Sequence, residues 1–116
     1  MNVNATPSPL ITLPPPSPLN ALMRAFAVAE TVVAELEDLP SGVNLMDTYR
    51  DAYRLDIYFH HLPEAVARFA AVHGANTNST TTTDGSVTVS VRVSVEGVEV
   101  RAWALMPAAT APERAA

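Results

Sequence analysis

The chain has 116 residues, 48% apolar and 16% charged, with a formal net charge of −5 at pH 7. This length suits one small domain with a single hydrophobic core. The absence of cysteine excludes disulfide bonds, thiol catalysis and cysteine-ligated zinc. The acidic balance argues against binding to nucleic acid or to an anionic membrane surface, because both require clustered positive charge.

The N-terminal segment is rich in proline: six of the ten prolines lie in residues 1–18. Proline fixes φ and donates no backbone hydrogen bond, so residues 1–16 are expected to form an extended or disordered arm. Two interpretations stay open. The arm is a solvated tail, or it lies on a neighbouring subunit through Leu10, Ile11 and Leu13, which are unusually apolar for a free tail.

Two amphipathic helices are predicted. The first begins with Ser17 as N-cap and Pro18 at the first helical position. Its apolar residues recur at spacings of three and four and form one stripe, widened by Val28 and Val32; they are Leu19, Leu22, Met23, Phe26, Ala29, Val33 and Leu36. The second runs from Pro63 to about His73, with Gly74 as its C-terminal cap.

Two hairpins are predicted from alternating polarity. Residues 43–49 and 53–60 alternate and are joined by a short link. Residues 75–85 form a polar loop, since they lack apolar periodicity. The second hairpin spans Ser86 to Met106 and turns at Glu96-Gly97. A two-residue turn pairs Val95 with Val98 and so places every valine on one face, although positive φ is unfavourable for Glu96.

The element order α-β-β-α-β-β predicts an α+β two-layer sandwich: a four-stranded antiparallel sheet with two helices on one face. The domain is expected over residues 17–107, with a flexible tail over 108–116. The short links within each hairpin favour antiparallel pairing throughout. The predicted core consists of Phe26, Val33, Leu55, Ile57, Phe59, Val66, Phe69, Val91, Val93 and Val100.

The other face of the sheet is the best candidate for a functional surface. It is expected to carry Trp103, Tyr58, Arg92, Arg101, Leu105 and Arg54. Exposed Trp, Tyr and Arg together are typical of protein interfaces, and also of sheets that stack single-stranded bases, which the acidic net charge disfavours. In the plainer alternative, Trp103 tucks under a loop or the tail, while Arg54 and Arg92 pair with Asp56 and Glu99.

Catalytic, cofactor and metal sites are not predicted. Adjacent histidines in a strand point to opposite faces, so His60 and His61 are not expected to share a metal ion. His61 is expected at the N-terminal boundary of the second helix, and His73 in its last turn. Glu35, Glu37 and Asp38 are interpreted as a solvated face. The sequence contains no glycine-rich phosphate loop and no nucleophile motif.

The run YRLDIYFHHLPEAVARFAAVHG, followed by the valine-rich hairpin ending RAWALMP, resembles small uncharacterised α+β proteins of actinobacteria and their phages. The resemblance covers residues 40–106 and implies an α+β fold and a GC-rich genome. It carries no catalytic residues. No apolar run approaches the roughly 20 residues that span a bilayer, and MNVNATPSPL does not look like a signal peptide. We therefore expect a cytoplasmic protein, in the host cytoplasm or the virion if a phage encodes it.

Three functional hypotheses follow from these patterns. The first is a non-enzymatic protein-interaction module that self-associates or docks a protein partner through the open sheet face or the sheet edge, as a virion accessory or a host-protein inhibitor. The alternative is a small-ligand or nucleotide-binding domain with a pocket between sheet and helices. A small enzyme using Asp56, Tyr58 and His60 is the third.

Overall fold

The structure is a computed structural model that describes residues 18–49 and 52–108. The predicted N-terminal arm, with Leu10, Ile11 and Leu13, lies outside the described residues. So do the predicted N-cap Ser17 and the tail from residue 109 onward. In the described part of the chain, neither helix has the length and apolar character that crossing a bilayer requires.

The described residues form helices α1 (Pro18–Ala34) and α2 (Pro63–Val72) and one sheet. Its strands are β1 (Gly42–Asp47), β2 (Tyr53–Tyr58), β3 (Asn78–Thr81), β4 (Val87–Val95) and β5 (Val98–Met106). The chain order is α1-β1-β2-α2-β3-β4-β5, and the strand order in the open sheet is β1-β2-β5-β4-β3. The predicted α+β class is therefore confirmed.

The predicted all-antiparallel sheet is wrong, because β2 and β5 are parallel. Within each hairpin the short link does force antiparallel pairing, as expected. The connection from β2 to β5 is different, since it contains α2, β3 and β4. A connection of that length can bring the chain back in the same direction, which the argument from short links did not cover.

The predicted count of four strands is also wrong, because the expected polar loop contains β3. All four of its residues are exposed, and Asn78 pairs opposite Ser90 of β4. Because all four of its residues are exposed, β3 buries neither face. Its sequence therefore needs no apolar alternation, which is the pattern that identified the other strands.

The predicted register of the β4–β5 hairpin is confirmed. Val95 lies opposite Val98, Val93 opposite Val100 and Val91 opposite Ala102. The turn contains two residues, and both have positive φ, 50° for Glu96 and 83° for Gly97. Positive φ at both positions is the geometry of a type I′ turn, which matches the twist of the flanking strands.

Both helices and the apolar side of the sheet share one buried cluster, so the helices pack on the same face. Seven of the ten predicted core residues are buried: Leu55, Ile57, Phe59, Val66, Phe69, Val91 and Val100. Val93 packs against this cluster and is only half-buried, as is Val33. The prediction for Phe26 is wrong, because its side chain is largely exposed.

The exposure of Phe26 reflects the way α1 is turned. The helix places Ala25, Val28 and Val32 against the sheet. These side chains are small, so they let the helix lie close to the strands. The remaining apolar residues then occupy one flank of α1, where Leu19, Met23 and Phe26 are 65%, 58% and 54% exposed. The apolar stripe in the sequence is wider than the strip of helix that the sheet can cover.

An ion pair ties the loop after α1 to α2. Arg68 donates from Nε and Nη2 to the two carboxylate oxygens of Asp38, at 2.9 and 2.8 Å. The hydrogen bonds from Arg68 hold the pKa of Asp38 below its usual value. Asp38, expected on a solvated face, thus has a defined partner that orients α2 relative to the end of α1.

Replacing Glu96 with asparagine should stabilise the protein. A left-handed backbone costs an ordinary side chain about 1–2 kcal/mol, and asparagine tolerates it better, so Glu96→Asn should raise the unfolding free energy by roughly 0.5–1 kcal/mol. Urea denaturation measures the change. Glu96→Gln removes the same charge without favouring positive φ and should leave stability nearly unchanged; an equal gain in both variants would attribute the effect to charge.

Truncating Phe69 tests the docking of α2. Phe69 is buried in the core cluster, and Phe69→Ala should lower the unfolding free energy by about 3–5 kcal/mol. Val72 lies on the same helix with an exposed side chain, so Val72→Ala should cost less than about 0.5 kcal/mol. Similar denaturant midpoints for the two variants would show that α2 does not pack on the sheet through Phe69.

Candidate interaction surface on the sheet

We call the side of the sheet that faces away from both helices the outer face. Alternation along β2, β4 and β5 places all six residues of the predicted surface on it: Arg54, Tyr58, Arg92, Arg101, Trp103 and Leu105. The helices pack on the opposite side, against residues such as Leu55 and Val100. The outer face is therefore left uncovered by the helices that the structure describes.

The parallel pairing of β2 with β5 sets Tyr58 directly beside Trp103. The two ring centroids are 4.5 Å apart with a tilt of 44°. Arg101 Cζ lies over the same indole, 4.8 Å from the ring centroid, within range of a cation–π interaction. Trp103 is half-buried, held between neighbours of its own sheet. Its ring therefore packs against two neighbouring side chains without being enclosed.

A carboxylate balances the charges behind this aromatic pair. Asp56 is only 7% exposed, and Arg54 bonds to it through Nε at 2.8 Å and through Nη2 at 3.4 Å. Arg101 Nη1 lies 3.8 Å from the same carboxylate, beyond hydrogen-bonding distance. Asp56 thus stands between two arginines, and its contact with Arg54 is the closer one.

The predicted like-charge pair across β4 and β5 is present, with Arg92 directly opposite Arg101. Arg92 Nη1 donates to Glu99 Oε2 at 3.1 Å, and this ion pair partly neutralises the charge of Arg92. The plainer alternative for the charges therefore holds: Arg54 pairs with Asp56, and Arg92 with Glu99. Trp103 lies on the outer face beside Tyr58, and the tail that the same alternative placed over it lies outside the described residues.

Arg101 is the least neutralised cation of this group. Partial burial lowers its pKa, the nearby Arg54 and Arg92 act in the same direction, and Asp56 opposes them. A guanidinium starts from so high a pKa that it stays charged at neutral pH. Arg101 therefore presents a charged group with unused donor capacity on the face of Trp103.

His61 lies just before α2 and His73 at its end, as predicted, but His60 and His61 do not point to opposite faces. His60 and His61 stack, with ring centroids 3.8 Å apart, because they lie in the turn after β2, where His61 has a φ of 52°. The alternation of a strand does not apply there. Tyr58 Oη and His60 Nδ1 are 3.1 Å apart, and His73 contacts Phe69. Within the described residues, no three His, Cys, Asp or Glu side chains form a group that could hold a metal ion.

Two depressions bear on ligand binding. A cleft between the end of α1 and α2, lined by Leu36, Phe69 and His73 among others, has a cavity volume of about 20 Å³. That is room for about one water molecule. A larger, open depression of about 500 Å³ lies where the two hairpins end, with Arg54, Arg92 and Glu99 in its lining. It continues the outer face and offers a recess for side chains of a partner.

Comparison with known proteins adds no family. No protein-family model matches the chain, and no curated protein matches it.

Sequence reasoning missed two features of this region. The first is the contact of Tyr58 with Trp103, which depends on the adjacency of β2 and β5 and has no local signal. The second is the exposed flank of α1: Phe26 was predicted in the core, and Leu19 and Met23 were predicted only as part of the apolar stripe. The excessive width of the apolar stripe was the available signal, since a helix on a sheet buries only part of its circumference.

Removing the charge of Asp56 should destabilise the sheet. Asp56→Asn leaves Arg54 and Arg101 close together without an acid and should cost about 1–3 kcal/mol of unfolding free energy. The exposed pair of Arg92 and Glu99 is the matched control, and Glu99→Gln should cost less than about 1 kcal/mol. Chemical denaturation of both variants measures the difference, and equal costs would contradict a special role for Asp56.

Proposed function

We propose that this chain is a non-enzymatic protein-interaction module that docks a protein partner through the outer face. The observation that carries the proposal is the cluster of Trp103, Tyr58 and Arg101 on a sheet face that the described helices leave uncovered. These residue types dominate the binding energy of protein interfaces. A tryptophan held in one orientation loses little conformational entropy when a partner covers it.

The charge pattern supports a protein partner over a nucleic acid. Arg54 and Arg92 each bond to an acid on the same face. A surface that tracks a phosphate backbone needs several unpaired cations, whereas this one offers mainly Arg101. Apolar area around Trp103 and Leu105, combined with locally paired charges, is the composition of an interface with an apolar centre and a polar rim.

The alternative functions have less support. A nucleotide pocket between sheet and helices needs several hundred Å³, far more than the cleft beside α2 provides. For an enzyme using Asp56, the carboxylate would have to be available to substrate, and it is bonded to Arg54. We place the protein in the cytoplasm or, if it is phage-encoded, in the host cytoplasm or virion, where the partner is a host or virion protein.

Trp103→Ala should weaken partner binding while leaving the fold intact. The full chain, Trp103→Ala and the control Val72→Ala are compared by affinity capture from the native host. We expect the full chain and Val72→Ala to retain the same partner. The dissociation constant of the complex with Trp103→Ala should be at least tenfold higher than that with the full chain, since an interface tryptophan contributes about 2 kcal/mol or more.

Trp103 also reports the binding event itself, because it is the only tryptophan of the chain. The partner used should lack tryptophan, or carry a tryptophan analogue that does not contribute to the fluorescence. On binding, the fluorescence emission of Trp103 should then shift to shorter wavelength, because the indole ring leaves water. Equal retention by Trp103→Ala would refute the proposal. So would a loss of monomer stability in Trp103→Ala as large as that of a buried core residue.

A further inference from the structure

We propose a second association surface, formed by the edge of β1 and the exposed flank of α1, whose partner is a second copy of this chain. The two β1 strands pair antiparallel about a two-fold axis, and the α1 flanks pack across the same boundary. This surface is separate from the outer face and does not rest on the function proposed for it.

The first observation is that β1 is an unguarded edge strand. It lies at one end of the sheet and pairs only with β2 in the described part of the chain. Natural edge strands are commonly protected by lysine, proline or a bulge. The run Gly42–Asp47 contains no basic residue and no proline, and both Val43 and Met46 are exposed. Such an edge is a template for another strand.

The second observation is the direction of the backbone groups of β1. The N–H of Thr48 donates to the carbonyl of Ala52 at 3.1 Å, in line with the β1–β2 register. Successive residues in an antiparallel ladder point alternately toward and away from the partner strand. Val43 and Leu45 therefore direct their N–H and C=O groups away from β2, to the open edge.

These residues define a self-complementary register. A two-fold axis at Asn44 places Val43 of one copy opposite Leu45 of the other, and each such pair can exchange two backbone hydrogen bonds. Both residues lie on the helix side of the sheet, since Val43 pairs with Ile57 and Leu45 with Leu55. An axis one residue further on would set Val43 against Asp47, an apolar group against a carboxylate. The apolar pattern thus selects the first register.

The third observation is the position of the apolar flank of α1. Leu19, Met23 and Phe26 follow one another at spacings of four and three, so they form one line along the helix. Each residue of a helix is rotated by about 100° around the axis, which places Glu35 on the flank opposite to this line. Glu35 lines the cleft between α1 and α2. The apolar flank therefore faces away from α2.

Facing away from α2 means facing the β1 side of the molecule. Helix α1 packs on β2 and β5, whereas α2 packs on β5 and β4. In the strand order, the side of α1 opposite α2 is the side of β1. The flank and the helix-side residue Val43 thus border the same edge. A second copy brings the same two elements, and an interface with two-fold symmetry covers both at once.

The oligomeric state of the full chain tests this proposal. Sedimentation equilibrium should give twice the mass of one chain, with a reversible, concentration-dependent dissociation. Phe26→Glu should raise the dimer dissociation constant at least tenfold, because it sets two carboxylates into an apolar contact. Thr31→Glu adds the same charge at an exposed position on another side of α1 and should leave the constant unchanged.

Val43→Pro tests the strand pairing. Proline removes an N–H that points away from β2, so the intrachain ladder is kept while bonds to the second copy are lost. The variant should be monomeric with a folded circular dichroism spectrum. In hydrogen exchange, the amides of Val43 and Leu45 should be protected in the wild-type dimer and unprotected in Phe26→Glu.

Three results would overturn the proposal. They are a monomeric wild-type chain, a dimer that neither Phe26→Glu nor Val43→Pro weakens, and a monomer whose β1 amides are protected because the N-terminal segment covers them. Trp103→Ala should leave the dimer constant unchanged, so failure of this proposal and failure of the proposed function can be told apart.

Discussion

The parallel pairing of β2 with β5 is the constraint on which the rest of the structure depends. It joins the β1–β2 hairpin to the three-stranded unit of β3, β4 and β5, and an isolated two-stranded hairpin is too small to bury a core. On the helix side it brings Leu55 and Ile57 next to Val100 and Ala102, all with no exposed surface. Without this joint, α1 and α2 would have no common surface to cover.

The same joint determines the chemistry of the outer face. Because side chains alternate, fixing the apolar register on one side of the sheet also fixes the polar register on the other. Tyr58 must then neighbour Trp103, and Asp56 must neighbour Arg101. The register that places the valines of the β4–β5 hairpin on one face also sets Arg92 opposite Arg101. The negative charge of Asp56 reduces the repulsion between these two arginines. The core and the candidate interaction surface are therefore two consequences of one register.

Local signals in the sequence predicted the elements better than their arrangement. Two helices, the β1–β2 hairpin and the residue-by-residue pairing of β4 with β5 follow from periodicity and turn chemistry. The partner of β2 does not, because adjacency of distant strands leaves no local pattern. The exposed strand β3 also escaped, since it buries nothing. For the candidate surface, the face of each residue was predictable, but the contact of Tyr58 with Trp103 was not.

The orientation of α1 shows a further limit of periodicity. A stripe of apolar residues predicts that a helix packs on something, not which part of the stripe it uses. The sheet selected Ala25, Val28 and Val32 because small side chains allow a close approach, and Phe26 was left outside. Apolar residues that the fold does not use are informative, since soluble monomers seldom leave such a line uncovered.

The two edges of the sheet differ, and the difference limits how far it can grow. At the far edge from β1, β3 has four exposed polar residues, and the turn that follows is closed by Asp84, whose pKa is lowered to about 2 by hydrogen bonds from Ser86 and Thr82. An edge this short and polar is a poor template for further strands. Pairing through β1 uses up the one receptive edge that the described part of each molecule offers. Assembly by this route ends as a closed pair and does not propagate into a fibre.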